Sequence, residues 1–388
     1  MPADAPAGIA RSAHYFPELE CLRGVAIALV VLFHADCLVR FPFGNTIGMW
    51  PEPPLSLVLG GHTGVSLFFI LSGFLLGLPF LAEAEGGRRV DRTVYYRKRA
   101  LRILPLYWAT LAVGVLVTVR TPAELWSRLG YFVFADGMAE VVRPMQPFTD
   151  VVWSLATEAQ FYLVLPLLPW VLGSRRRLGV AAIAYAGAYV LFLAGAAGRW
   201  SMPVEGFLAR GVFGRLPQFA LGIGAAWVHR RFGPRLGRGR WLGRGRGDLL
   251  LVGCVLALAF LLQPVVYRGY HVWNMPPLHV WHVVEGVLWT IILLLVLDAS
   301  LVVRPLLVNA PLARLGVLSY SIYLVHMPFY WYSLHLTRTL YRLPARWTAG
   351  NAVWLVAALP AIVVVSAITY RWIERPFLER KASVGERR

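Results

Sequence analysis

The chain has 388 residues, 58% of them hydrophobic and 15% charged, whereas soluble domains carry roughly a quarter charged residues. Apolar stretches recur from residue 20 to residue 372 with no polar block long enough for a separate fold, which excludes a soluble multidomain protein and points to one polytopic membrane domain. The net charge of +18, from 38 Lys and Arg against 20 Asp and Glu, suits basic loops that orient membrane helices and hold anionic ligands or lipid headgroups, so the bilayer and not nucleic acid is the expected partner.

A bilayer core about 30 Å thick takes about 20 residues of helix. Apolar segments near that length lie at about 20–40, 57–80, 101–120, 151–172, 178–198, 208–228, 248–266, 280–302, 311–336 and 350–372. The chain therefore reads as an all-α bundle of about ten spans, the sixth interrupted by Arg215 and Pro217. Segment 124–137 is too short to span and reads as interfacial, with Trp126 and Tyr131 as amphipathic anchors. The first 18 residues are Ala/Pro-rich and lack the pattern of a removable signal peptide. Cys21, Cys37 and Cys254 have neither metal-like nor disulfide-framework spacing.

Basic residues crowd alternate loops, including 88–102, 175–177, 230–246 and the segment from 371 onward, which orients the chain with both termini in the cytoplasm. This divides it into a cytoplasmic segment 1–19, a transmembrane domain 20–376 and a cytoplasmic tail 377–388. Segment 229–248 is Gly/Arg-rich and reads as a solvated cytoplasmic loop.

Ionisable residues inside apolar spans are costly and are functional candidates. Arg23 and His34 share one face of the first span, about 16 Å apart along its axis. Arg23 lies near the cytoplasmic end. The His34 imidazole, deeper and toward the far side, could take a proton from a hydroxyl group or simply bond a neighbouring helix. The second span, GGHTGVSLFFILSGFLLG, repeats small residues that let helices approach closely, with Ser66 or Ser72 able to bond across the contact and His62 at the outer mouth. In TVYYRKRALRILPLYW, Arg97, Lys98, Arg99 and Arg102 fill one and a half turns where the chain re-enters the membrane. Arg99 and Arg102, at i and i+3, could clamp phosphates or anchor lipid headgroups.

Glu158 in WSLATEAQFY has Ser154 one turn before it. It could orient or charge-stabilise an imidazole, or pair with a structural arginine. His279, His282 and Glu285 follow at i+3 steps, but their spacing matches no known metal site and no metal is expected. The ninth span carries SYSIYLVHMP with Ser319, Tyr323 and His326, the last at the expected depth of His34 and Glu158. Ser72, Tyr323 and His326 are the candidates to face a substrate. The layout, cations at the inner mouth and titratable groups in the outer half, suits an anionic donor whose reactive end reaches an acceptor across the membrane.

These stretches, LRGVAIALVVLFHA, GVSLFFILSGFLLG, the RxxR of Arg99 and Arg102 followed by Ile103-Leu104-Pro105, WSLATEAQFYLVLP, SYSIYLVHMPF and ERPFLER, resemble the membrane acyltransferase family 3 over residues 16 to 380. The resemblance implies a ten-helix bundle in the bacterial inner membrane that moves an acetyl or other short acyl group from cytoplasmic acyl-CoA to a sugar hydroxyl of an envelope glycan or a glycosylated metabolite. It implies His34 as the catalytic histidine with Arg23 as its motif partner, and Arg99 and Arg102 on the acyl-CoA side. Glu158 joins the catalytic set as a residue that fixes the His34 tautomer or stabilises its cation. The chain resembles the stand-alone form without an appended hydrolase-like domain, for which direct transfer to the acceptor is the simpler scheme. The alternative is a glycan or metabolite transporter with an intramembrane proton relay, for which no inverted repeat or paired broken helices speak. Acceptor identity, acyl length and oligomeric state are not legible in the residues.

Overall fold

In hydrocarbon every backbone N–H and C=O needs an internal partner, which leaves an apolar chain the helix as its economical solution. The computed structural model describes residues 16–40, 51–135, 144–196, 202–236, 245–268 and 276–383, and among them no strand occurs. The helices are α1 (Pro17–Arg40), α2 (Pro53–Leu59), α3 (Thr63–Ala84), α4 (Arg92–Thr118), α5 (Pro122–Trp126), α6 (Trp153–Val164), α7 (Leu168–Leu172), α8 (Arg175–Ala196), α9 (Met202–Arg210), α10 (Val212–Leu236), α11 (Arg246–Arg268), α12 (Pro276–Asp298), α13 (Arg304–Leu307), α14 (Ala310–Tyr341), α15 (Ala349–Thr369) and α16 (Arg375–Ser383). Local signals set their starts: the side chains of Asp91, Asn309 and Thr348 cap α4, α14 and α15 by accepting from the backbone N–H of Val94, Leu312 and Asn351.

Among the described residues nine helices are long and apolar enough to cross a bilayer. The tenth expected span, 208–228, falls on α10, which runs unbroken for 25 residues through Arg215 and Pro217 but is too polar to meet that criterion. It packs against α3 and α12, where Arg215 and Gln218 are buried and find partners inside the protein. Segment 124–135 also departs from expectation. Trp126 is exposed, as an interfacial anchor would be, but Tyr131 is buried and its carbonyl accepts a 2.6 Å bond from the Tyr107 hydroxyl. Residues 1–15, 237–244 and 384–388 of the predicted cytoplasmic segments lie outside the described residues, as does the side chain of His279.

Helix α1 is wedged between α14 and α3. Small residues make the wedge tight: Gly24 lies against the Leu312 carbonyl, Gly316 against the Glu20 carbonyl, and Gly64 against the Ala26 carbonyl. The small residues of GVSLFFILSGFLLG serve the same end, with Gly73 backed onto the Phe219 carbonyl of α10. Arg338 caps the far end of α1, donating to the carbonyls of Leu38 (3.3 Å) and Val39 (2.6 Å). Two apolar clusters flank α1, one including Val30, Phe69, Tyr107 and Tyr330, the other Leu22, Phe74 and Trp289.

A methyl group at Gly73 would collide with backbone, whereas one at Gly224 meets open space. Gly73→Ala is therefore expected to lower stability by about 1–3 kcal/mol, and Gly224→Ala to leave it unchanged or raise it, as read from thermal midpoints in detergent. The loop before α6 supplies a pH-dependent term. Burial pushes the Asp150 carboxyl up from 3.8 to about 6. An acid with a raised folded value contributes stability below its unfolded value that is lost as pH rises through about 6. Asp150→Asn should thus stabilise the protein at pH 7.5, by roughly 1–3 kcal/mol, with the gain vanishing below about pH 4 in a pH series of midpoints.

Candidate active site

Two imidazoles meet where α1 and α14 run side by side. His326 Nε2 lies 3.1 Å from His34 Nδ1. Each ring's Nδ1 also faces a carbonyl one turn back on its own helix, Val30 for His34 (2.9 Å) and Ile322 for His326 (3.0 Å). A carbonyl only accepts, so both Nδ1 atoms carry the proton. His326 Nε2 is then a lone-pair acceptor for His34 Nδ1–H, and His34 Nε2 is left as the basic atom of the pair. His326 is fully buried while His34 keeps part of its surface accessible.

Near this pair lies a cavity of about 130 Å³. Its wall follows one face of α6. Ser154, at the pair's end, bonds the Tyr323 hydroxyl at 2.6 Å; Tyr323 in turn donates to the Val151 carbonyl at 2.8 Å, and its ring lies 5.9 Å from that of His326. One turn on, Glu158 accepts 2.7 Å from Ser72; another turn on, Tyr162 carries the Arg99 guanidinium 5.8 Å over its ring. Phe68, Phe69, Leu75 and Ile103 line the apolar sides. Neither imidazole is itself in that lining; Tyr323, whose ring neighbours that of His326, is.

On this ladder Glu158 bonds Ser72, and Ser154, one turn before it, is joined to the Tyr323 next to His326. The ring bonded to His34 is that of His326, which the sequence suggested only as a substrate contact. Ser72 meets Glu158, and Tyr323 meets Ser154, so those two candidates do line the cavity.

At its other end the cavity opens among cations. Arg23 donates to Ser319 Oγ at 3.2 Å and lies 3.6 Å from Glu20. Arg102 is ion-paired at 2.5 Å with Glu374, whose second oxygen accepts 2.8 Å from Ser321. Arg99 and Arg102 both reach the cavity, yet they differ: Arg102 is held by a carboxylate, whereas Arg99 Nε is buried with no hydrogen-bond partner among the described residues. The residue that sequence reasoning passed over is Glu374. Its ERPFLER motif was in view, but nothing in the spacing shows that a residue 272 positions away pairs with Arg102.

Residues weighed as metal ligands have another use. His282 Nδ1 bonds Glu285 Oε1 at 2.7 Å, Ser66 bonds the same oxygen, and Gln218 Nε2 donates to Ser66 at 2.7 Å. This network ties α12 to α3 and α10, with His62 stacked edge-on against His282 at 6.3 Å. Phe33 links it to the histidine pair, contacting both His62 and His34.

Comparison with known proteins now bears on this arrangement. A family described as an acyltransferase domain matches residues 16–371. The chain belongs to this acyltransferase family. Among curated relatives, the peptidoglycan O-acetyltransferase OatA of Listeria monocytogenes is 23% identical over 94% of this chain and 56% of its own length. The putative membrane-bound transacylase BcsY of Komagataeibacter xylinus is 28% identical over 95% of this chain and 85% of its own. The putative peptidoglycan O-acetyltransferase YrhL of Bacillus subtilis is 25% identical over 93% and 55%. The chain thus spans little more than half of OatA and YrhL and most of BcsY. No solved structure matches it.

The Arg102–Glu374 pair ties α4 to the end of the α15 span. Removing either partner strands a buried charge, so Arg102→Ala and Glu374→Ala should each cost about 3–5 kcal/mol. The double variant should cost clearly less than their sum, in a double-mutant cycle on unfolding midpoints; additive losses would show that the pair is not coupled.

Proposed function

We propose that this family member is an integral-membrane O-acyltransferase that takes an acetyl or other short acyl group from acyl-CoA and transfers it to a sugar hydroxyl. The observation that carries the reading is the His34–His326 pair, one ring beyond the Tyr323 that lines a cavity whose other end is cationic. The printed names of OatA and YrhL, both peptidoglycan O-acetyltransferases, support a glycan acceptor and acetyl as the group moved. The basic rim and both termini face the cytoplasm of a bacterial inner membrane, a reading supported by the charge bias of the loops.

The donor enters at the basic rim, where the unpartnered Arg99 Nε and the Arg23 and Arg102 guanidinium groups suit its phosphates. Its pantetheine arm follows the α6 face, and the thioester reaches the Ser154–Tyr323 hydroxyl pair. The acceptor arrives from the opposite side. His34 Nε2 takes the proton of the acceptor hydroxyl as the oxygen attacks the thioester carbon. The tetrahedral oxyanion collapses, the C–S bond breaks, and the proton passes from His34 to the departing thiolate. His326 acts as a positioning residue. Its Nε2 lone pair holds His34 in the Nδ1–H tautomer and receives a stronger hydrogen bond when His34 becomes cationic. Glu158 and Ser72 face the arm of the donor and not the reacting atoms.

His34→Ala should lower acyl transfer from labelled acetyl-CoA by about 10²–10⁴-fold in membranes with unchanged protein level. His326→Ala should lower it by about tenfold or more and shift the pH–rate profile, with His326→Gln recovering part because its amide oxygen also accepts from Nδ1–H. Full activity of a correctly inserted His34→Ala protein would refute the assignment.

A further inference from the structure

The basic rim carries more positive charge than its carboxylates balance. Glu20 faces Arg23 and Glu374 holds Arg102. Arg99 and Lys98 have no ion-pair partner among the described residues, and Lys381 of α16 is a further half-buried cation with none. The packing of α16 directs it toward the same rim. The helix packs on α4, the helix of Arg99 and Arg102, and Phe377 and Leu378 sit partly buried at the contact. Lys381 follows them by four and three positions and so shares their inward face. Two other cations of α16 are otherwise engaged: Arg375 bonds Glu379 at 2.8 Å and Arg380 lies over Phe377. Lysine placed among arginines with no carboxylate of its own repels them. Such an arrangement gains stability only when an anion sits between the cations.

We propose that Lys381 and Arg99 together form a phosphate site at the rim, with α16 supplying the cation that completes it from the carboxy-terminal side. The ligand chemistry is a phosphate ester or diphosphate. Resting on the acyl-CoA reading above, its source is the nucleotide end of the donor, which would make α16 part of the donor site and not a passive tail.

The test uses the full chain in neutral phosphatidylcholine nanodiscs and follows its thermal midpoint on adding coenzyme A, or pantetheine, which has no phosphate. Coenzyme A should raise the wild-type midpoint far more than pantetheine does. Lys381→Ala, relieved of like-charge repulsion, should unfold at or above the wild-type temperature without ligand. It should nonetheless need about tenfold more coenzyme A for the same rise, while Lys381→Arg responds as the wild type does. An Ala variant that responds to coenzyme A like the wild type overturns the inference and leaves the donor reading standing. A wild type unmoved by coenzyme A overturns both. A ligand-free midpoint well below wild type would make Lys381 a structural residue, and a difference confined to phosphatidylglycerol nanodiscs would make it a lipid anchor; either result also overturns the inference.

Discussion

The close approach of α1 to α14 is the constraint on which the rest is built. The two helices run in the same direction, and glycines at 24 and 316 let each backbone press on the other's carbonyls. That proximity brings Arg23 to Ser319 near one end and His34 to His326 toward the other. Neither pairing survives if the helices separate by the width of a side chain, because an imidazole held by a carbonyl on its own helix has no reach to spare. Packing without a hydrophobic driving force, and polar contacts that would be untenable in lipid, are thus the same event seen at two positions along the seam.

The chemistry is sorted along the α6 face. Hydroxyls sit beside the imidazoles, a carboxylate one turn away, and an aromatic ring under a guanidinium after another turn. An elongated ligand with a small electrophile at one end and negative charge at the other matches that order. A compact ligand would leave half of the ladder unused.

How much of this was legible beforehand divides by range. The helical class, the spans and the ionisable residues on them follow from composition and the 3.6-residue period, which act locally. Arg23, His34, Ser72, Arg99, Arg102, Glu158, Tyr323 and His326 were all singled out, and the structure gathers all but His34 and His326 around one cavity, with that pair beyond its Tyr323. What the residues did not disclose was pairing across hundreds of positions. Depth counting along separate helices put Glu158 level with His34, but helix tilt and the register between α6 and α1 are set by tertiary packing. His326 therefore meets the ring, and Glu374 meets Arg102. Tyr131 is buried for the same reason, tertiary packing, and its backbone carbonyl accepts from the Tyr107 hydroxyl.

Helix α10 has a bearing on how the molecule is made. Its Arg215 and Gln218 are tolerable in the bilayer only under the cover of α3, α12 and the Trp153 ring. Released alone from a translocation channel, such a segment would be pushed back toward water. Biogenesis of this protein is then expected to be ordered: α3 must already be in place for α10 to be retained, and α10 gains its full cover only when α12, synthesised later, arrives. A polar helix covered by α3 and α12 makes insertion and folding a single step for this part of the chain.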